Sequence, residues 1–138
     1  MALKQLSVFL ENSAGRLGEV TRTLAQAGVN IRAISIADTA DFGILRLIVD
    51  RQDEALAALT AGGFTTRTTD VAAVEIDDTP GSLARVMEFF QEAGINIEYL
   101  YASLENKVNK AVIIFKMDDH EKGLRIIRDH GLVTVDSF

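Results

Sequence analysis

The chain has no cysteine and no tryptophan, a single proline (Pro80), two histidines and two tyrosines among its 138 residues. Without cysteine there are no disulfides, no thiolate zinc sites and no cysteine nucleophile. Long apolar runs are also missing. The longest purely aliphatic or aromatic run, Ala111 to Phe115, is far short of the ~20 residues that a membrane helix needs. Lys4, Gln5 and Ser7 interrupt the first ten residues, which leaves no signal-peptide core. Positive charge is scarce: 14 basic against 20 acidic residues give a net charge of -6, which disfavours a phosphate backbone as partner. What remains is 48% hydrophobic and 25% charged, an ordinary composition for a soluble globular chain, and the expected location is cytoplasmic.

Self-similarity organises the sequence. Glu11-Asn12-Ser13-Ala14-Gly15-Arg16-Leu17 matches Asp77-Asp78-Thr79-Pro80-Gly81-Ser82-Leu83, and Ala27-Gly28-Val29-Asn30-Ile31 matches Ala93-Gly94-Ile95-Asn96-Ile97, both at an offset of 66. Val20 and Val86 keep that register. Leu56 with Leu124 and Gly63 with Gly131 follow at 68, which places two extra residues of the second copy in a hairpin near Glu105 to Asn109. Two copies are expected, 1–69 and 70–138, with no linker rich in proline or serine. Each is small enough to gain from sharing a core or from dimerising.

Both copies read β-α-β-β-α-β. Leu6, Val8 and Leu10 alternate as in a strand. Leu17, Val20, Leu24 and Ala27 form one helical face, and Gly28 can end that helix in the left-handed conformation. Ile31 to Ile36 and Ile44 to Val49 read as strands around a turn with Asp38, Asp41 and Gly43. Asp53 to Ala61 reads as a short helix and Phe64 to Thr69 as a last strand. The second copy repeats this from Val71 to Ile76, through helices at Ser82 to Ala93 and Glu121 to Asp129, to a final strand at Leu132 to Asp136. The fold class is α+β: two ferredoxin-like sandwiches, each an antiparallel sheet with both helices on one face. Ile44 to Val49 and Ala111 to Phe115 are apolar on both strand faces, which suggests that the helix-free face or the sheet edge is covered by another copy or subunit.

The chemistry concentrates where the first strand of each copy enters the first helix. Ser13 and Thr79 are expected N-caps, Pro80 is expected at the first helical position, and Gly15 and Gly81 leave the helix start bare. Free backbone N–H groups and the positive dipole end make such a start suited to a carboxylate, although ordinary helix capping explains the same residues. Asn30 and Asn96 open the second strands; each can satisfy a turn or offer a carbonyl to an ammonium. Together the two features would suit a zwitterion such as a free amino acid. Other constellations are weaker. His120 lies in Asp118-Asp119-His120-Glu121, a helix-start spacing rather than a metal site. His130 sits at a helix end. Tyr99 and Tyr101 share a strand face without the basic motifs of an RNA-binding sheet. No catalytic residues, metal or cofactor are expected.

The turn at Asp78 to Leu83, more loosely that at Asn12 to Leu17, and the Ala-Gly-(Val/Ile)-Asn-Ile segments resemble the ACT domain, a ligand-binding regulatory module of amino-acid metabolism. The resemblance covers nearly the whole chain. It implies a non-catalytic tandem that binds a free amino acid at the interface between its repeats and signals to a partner enzyme, as a homodimer. An alternative is a regulatory subunit that acts by protein contact with a vestigial ligand site. The resemblance further implies that Asn12, Ser13, Ala14, Gly15, Arg16 and Leu17, with Asp78, Thr79, Pro80, Gly81, Ser82 and Leu83, hold the ligand carboxylate. Asn30 and Asn96, beside Ile31 and Ile97, would contact its amino group or the main chain beside it. Ala14 in place of proline and Arg16 opposite Ser82 are departures that make the two sites unequal.

Overall fold

The computed structural model describes residues 3–38, 41–105, 107–136 and 138. Two compact units divide between Thr69 and Asp70. The first holds β1 (Leu3–Glu11) from Lys4 onward, α1 (Arg16–Gln26), β2 (Ile31–Asp38), β3 (Phe42–Val49), α2 (Gln52–Ala61) and the opening residues of β4 (Thr66–Asp77). The second holds the rest of β4, then α3 (Ser82–Glu92), β5 (Ile97–Ala102), β6 (Lys110–Met117), α4 (His120–Asp129) and β7 (Val133–Thr134).

In the first unit β3 lies antiparallel between β1 and β2, and the Phe9 N–H donates to the Thr65 carbonyl at 3.0 Å on the other side of β1. In the second, β6 lies between β5 and β4, and β7 adds to the far side of β4. This 2-3-1-4 order is the ferredoxin-like arrangement. The expected last strand of copy one and first strand of copy two are one uninterrupted strand, β4. Nothing in Thr68-Thr69-Asp70 breaks an extended backbone, and the absence of glycine and proline there explains the fusion. The last strand of the second copy is shorter than expected: β7 spans Val133 and Thr134, and past it the Val135 N–H donates to Ala73 O at 2.9 Å.

Alternation places Leu6, Val8, Leu10, Leu45, Leu47 and Val49 against Val20 and Leu24 of α1 and Ala55 and Leu59 of α2. In the second unit Ala72, Val74, Ile113, Phe115 and Met117 meet Val86, Phe90 and Ile127, with Phe90 edge-on to Phe115 at 5.4 Å. Gly28 and Gly94, both at φ +71°, end α1 and α3. The following N–H reaches back to Leu24 or Phe90, so the last carbonyls are satisfied as in a Schellman motif. α4 starts as its spacing suggests, with Asp119 accepting the Lys122 N–H at 3.1 Å.

Parts of the helix-free faces are buried as well. Ile48 and its β2 neighbour Ala33 have no exposed area, nor has Ile114, which lies opposite Ala73 and Tyr101. Ile44 and Ala111 of the same two runs stay half-buried, and Phe9 of β1 is exposed. Thr39, Ala40 and Asn106, within the two hairpins read from sequence, lie outside the described residues. Asn109 closes the longer hairpin at φ +61°, a conformation that asparagine tolerates better than most residues.

Candidate ligand-binding site

Both β-to-α turns are built from backbone hydrogen bonds. Past Glu11, the Asn12 N–H donates to Asp41 O at 2.8 Å and the Ser13 N–H to Glu11 O at 2.9 Å. In the second unit the Asp78 N–H donates to Asn109 O at 2.9 Å. The helix caps then come later than the sequence suggests, although α3 begins at Ser82 as read. The N-caps are Gly15 and Gly81, at φ +87° and +89°, and neither helix has a side-chain cap. Ser13 and Thr79 instead give their backbone carbonyls to the N–H groups of Arg16 and Ser82, at 3.4 and 3.3 Å. The left-handed residue turns the chain into the helix two residues after the expected cap. Pro80 therefore precedes the cap rather than occupying the first helical position. The Thr79 hydroxyl is hydrogen-bonded to that of Ser82 at 2.7 Å. Ala14 and Pro80 lead to the same cap geometry, so losing the proline does not alter the turn.

The turns and the asparagines do not meet within a unit. Leu10 pairs with Gly43 at one end of β3, whereas Ile31 pairs with Val49 at the other. Six steps along a strand separate them by ~20 Å. The second unit repeats this, with Asp77 opposite Lys110 and Ile97 opposite Met117. The main chain of each asparagine is engaged. The Asn30 N–H donates to the Asp50 carboxylate at 2.9 Å while the Asp50 N–H donates to Asn30 O at 3.2 Å. Asn96 and Asp118 make the same reciprocal pair at 3.1 and 3.0 Å. Ile31 and Ile97 pack against the cores. Asn96 and Ile97 line an open hollow of about 330 Å³ with Phe90 and Gly94, which includes none of Asp78 to Leu83.

What does meet the first turn is the far end of β2. Leu10, Glu11, Asn12, Ser13, Leu17, Ile36 and Gly43 enclose a pocket of about 140 Å³. Leu17 and Ile36 keep 44% and 51% of their surface exposed, an apolar wall left unpacked. Glu11, Ile36 and Gly43 were not evident as site residues from sequence. The signal was Gly43, a glycine inside a strand, which marks a close approach: a Cβ there would lie 3.3 Å from Ile36 Cδ1. Arg16 is engaged within the unit. It pairs with Glu19 at 2.6 Å and lies over the Phe64 ring at 4.8 Å. Leu83 packs on the second core.

The family comparison decides what this repeated architecture is. A family model described as the ACT domain pair matches residues 1–137. The chain belongs to that family. A crystal structure of a Bacteroides thetaiotaomicron protein is 38% identical to this ACT domain pair, at a TM-score of 0.92 over 98% of this chain and 92% of that one. The regulatory subunit of aspartate kinase from Thermus thermophilus, in its ligand-free form, shares the fold at 20% identity, with a TM-score of 0.67 over 93% of this chain and 92% of that one. The corresponding subunit from Thermus flavus is also 20% identical, at 0.60 over 91% and 90%. A search of curated proteins finds no match. Among the described residues no helix of this ACT pair is long and apolar enough to cross a membrane. None of its His, Asp and Glu groups there is placed to hold a metal.

Proposed function

We propose that this ACT domain pair is a non-catalytic regulatory protein that binds a small free amino acid at its first β-to-α turn and passes the signal to an enzyme of amino-acid metabolism. The carrying observation is the pocket between that turn and the end of β2. Its chemistry suits a zwitterion: Glu11 supplies a carboxylate for an ammonium, while the α1 start supplies backbone N–H groups and the positive dipole end for a carboxylate. Its volume is close to the ~150 Å³ of a cavity that holds one benzene molecule, so the side chain it admits is short. The likeness in fold to regulatory subunits of aspartate kinases supports a regulatory role.

A second reading, docking by protein contact alone, draws on the exposed Leu17, Ile36 and Phe42 at the same end of the unit. A thermal-shift screen of the twenty amino acids separates the two. A ligand at a hundred times its dissociation constant adds about 2.7 kcal/mol, a rise in melting temperature on the order of 10 °C for a chain of this size. Ile36→Phe, which fills the pocket, should abolish that rise. If no amino acid shifts the melt, the sensing role fails and the docking reading stands.

A further inference from the structure

The two units differ at one place that the turn reading does not use. In the first, the groove between the helix after the turn and the last strand is filled. The Arg16 guanidinium lies over Phe64 and is tied to Glu19. The repeat register puts Ser82, Leu132 and Arg85 at those three positions in the second unit. The filler is gone, and a groove of about 300 Å³ is open. That volume reaches the lower bound of ~300 Å³ for small-molecule sites.

The walls of the groove are specific to this unit. Phe89 and His130 stand where the first unit has Thr23 and Gly62. Their rings stack at 3.7 Å and 8°, and the Arg85 guanidinium lies 5.7 Å from the centre of the Phe89 ring. Arg85 has no ion-pair partner among the described residues. His130 caps the C-terminus of α4 and lines the groove. The acidic groups at the rim are already neutralised: Asp77 pairs with Lys110, and Glu75 with Lys107 at 3.1 Å. The remaining walls are apolar, from Ile76, Val86, Leu132 and Val133.

We propose that this groove is a second ligand site, one that takes a small monocarboxylate with a short apolar tail. Arg85 receives the carboxylate in the forked geometry that guanidinium favours, and His130 supplies a further donor. The tail lies on Leu132 and Val133, burying surface that is otherwise wet. The apolar walls favour a tailed carboxylate over inorganic phosphate, which would leave them uncovered.

Two-dimensional NMR of the full chain tests this with butyrate, isovalerate and inorganic phosphate, against sodium chloride of equal ionic strength. Butyrate and isovalerate should shift the amides of Arg85, Phe89 and Leu132 saturably, and Arg85→Gln should weaken the apparent affinity at least tenfold. The triple change Ser82→Arg, Arg85→Glu and Leu132→Phe rebuilds the filler of the first unit and should abolish the shifts. If the triple variant does not fold, Arg85→Gln at its exposed position carries the test alone. Phosphate acting as strongly as isovalerate, no shift beyond that of chloride, or shifts unchanged in Arg85→Gln would each overturn the assignment. Because the shifts are read at the second unit, their absence leaves the first-turn reading standing, and the reverse holds too.

Discussion

Gly123 of α4 sits directly on Met117 of β6. A Cβ built on Gly123 would lie 2.2 Å from Met117 Sδ and 2.5 Å from its Cε, and Met117 is fully buried. At the offset of 68, the first unit has Ala55 and Val49 at these positions, both in its core. A methyl added on the helix is thus matched by a shorter side chain on the strand, and this exchange can be tested by transplanting it. Gly123→Ala alone gains ~1 kcal/mol of helix propensity but overpacks the core at a cost of ~1–3 kcal/mol, a net loss of up to ~2 kcal/mol. Met117→Val alone leaves space over the glycine and should cost about 1–2 kcal/mol. In the double variant the clash is gone and the propensity gain is kept, so its stability should fall within ~1 kcal/mol of the parent chain. The two changes should couple by ~1–3 kcal/mol in urea melts read by circular dichroism. Additivity within ~0.5 kcal/mol would refute the reasoning, because it would mean that Met117 moves aside at no cost.

Other glycines separate space from conformation. Gly81 has open space around a built Cβ but φ +89°, so Gly81→Ala should destabilise by ~1–2 kcal/mol from backbone strain alone. Gly18, inside α1, would meet only the end of the flexible Arg22 side chain, and Gly18→Ala should stabilise by up to ~1 kcal/mol; thermal melts of both variants check the opposite signs. The hydrogen bond and charge of Lys110 hold the Asp77 carboxyl below its ordinary pKa, while Asp77 raises that of Lys110. The acid side of this linkage is present above the pKa of Asp in the unfolded chain and is lost as pH falls through the lower folded value. The base side is present below the ordinary Lys value and is lost as pH rises through the raised one. Lys110→Met should return Asp77 to an ordinary titration by carboxyl NMR; an unmoved titration would assign the shift to something other than Lys110.

The repeat, the order of elements and the helix faces were legible because each is a local period: alternation in Leu6, Val8 and Leu10, and three-and-four spacing from Leu17 to Ala27. The glycine ends at Gly28 and Gly94 were legible for the same reason. The caps were misplaced because Ser13 and Thr79 have the right side chains for a cap, and only φ shows that Gly15 and Gly81 make the turn. Within one unit, turn and asparagine lie apart because of chain direction. A helix carries the chain back along the sheet, so Asn30 opens β2 at the end remote from Asn12 to Gly15. Ile36 and Gly43 reach that turn only through strand register, which no single segment encodes. Arg16 read either as a charge added to one site or as a solvated side chain, and its contacts with Glu19 and Phe64 are set by the fold rather than by local sequence.

The shared strand β4 limits how the protein can be taken apart. The boundary at Thr69 and Asp70 falls inside a continuous run of twelve residues, not in a loop. Beyond it Val71 and Ala73 are buried, so a cut there would bare apolar backbone at a fresh terminus. A duplication joined in this way cannot be undone by trimming, and half-length versions should be poorly soluble unless some residues of β4 are supplied twice.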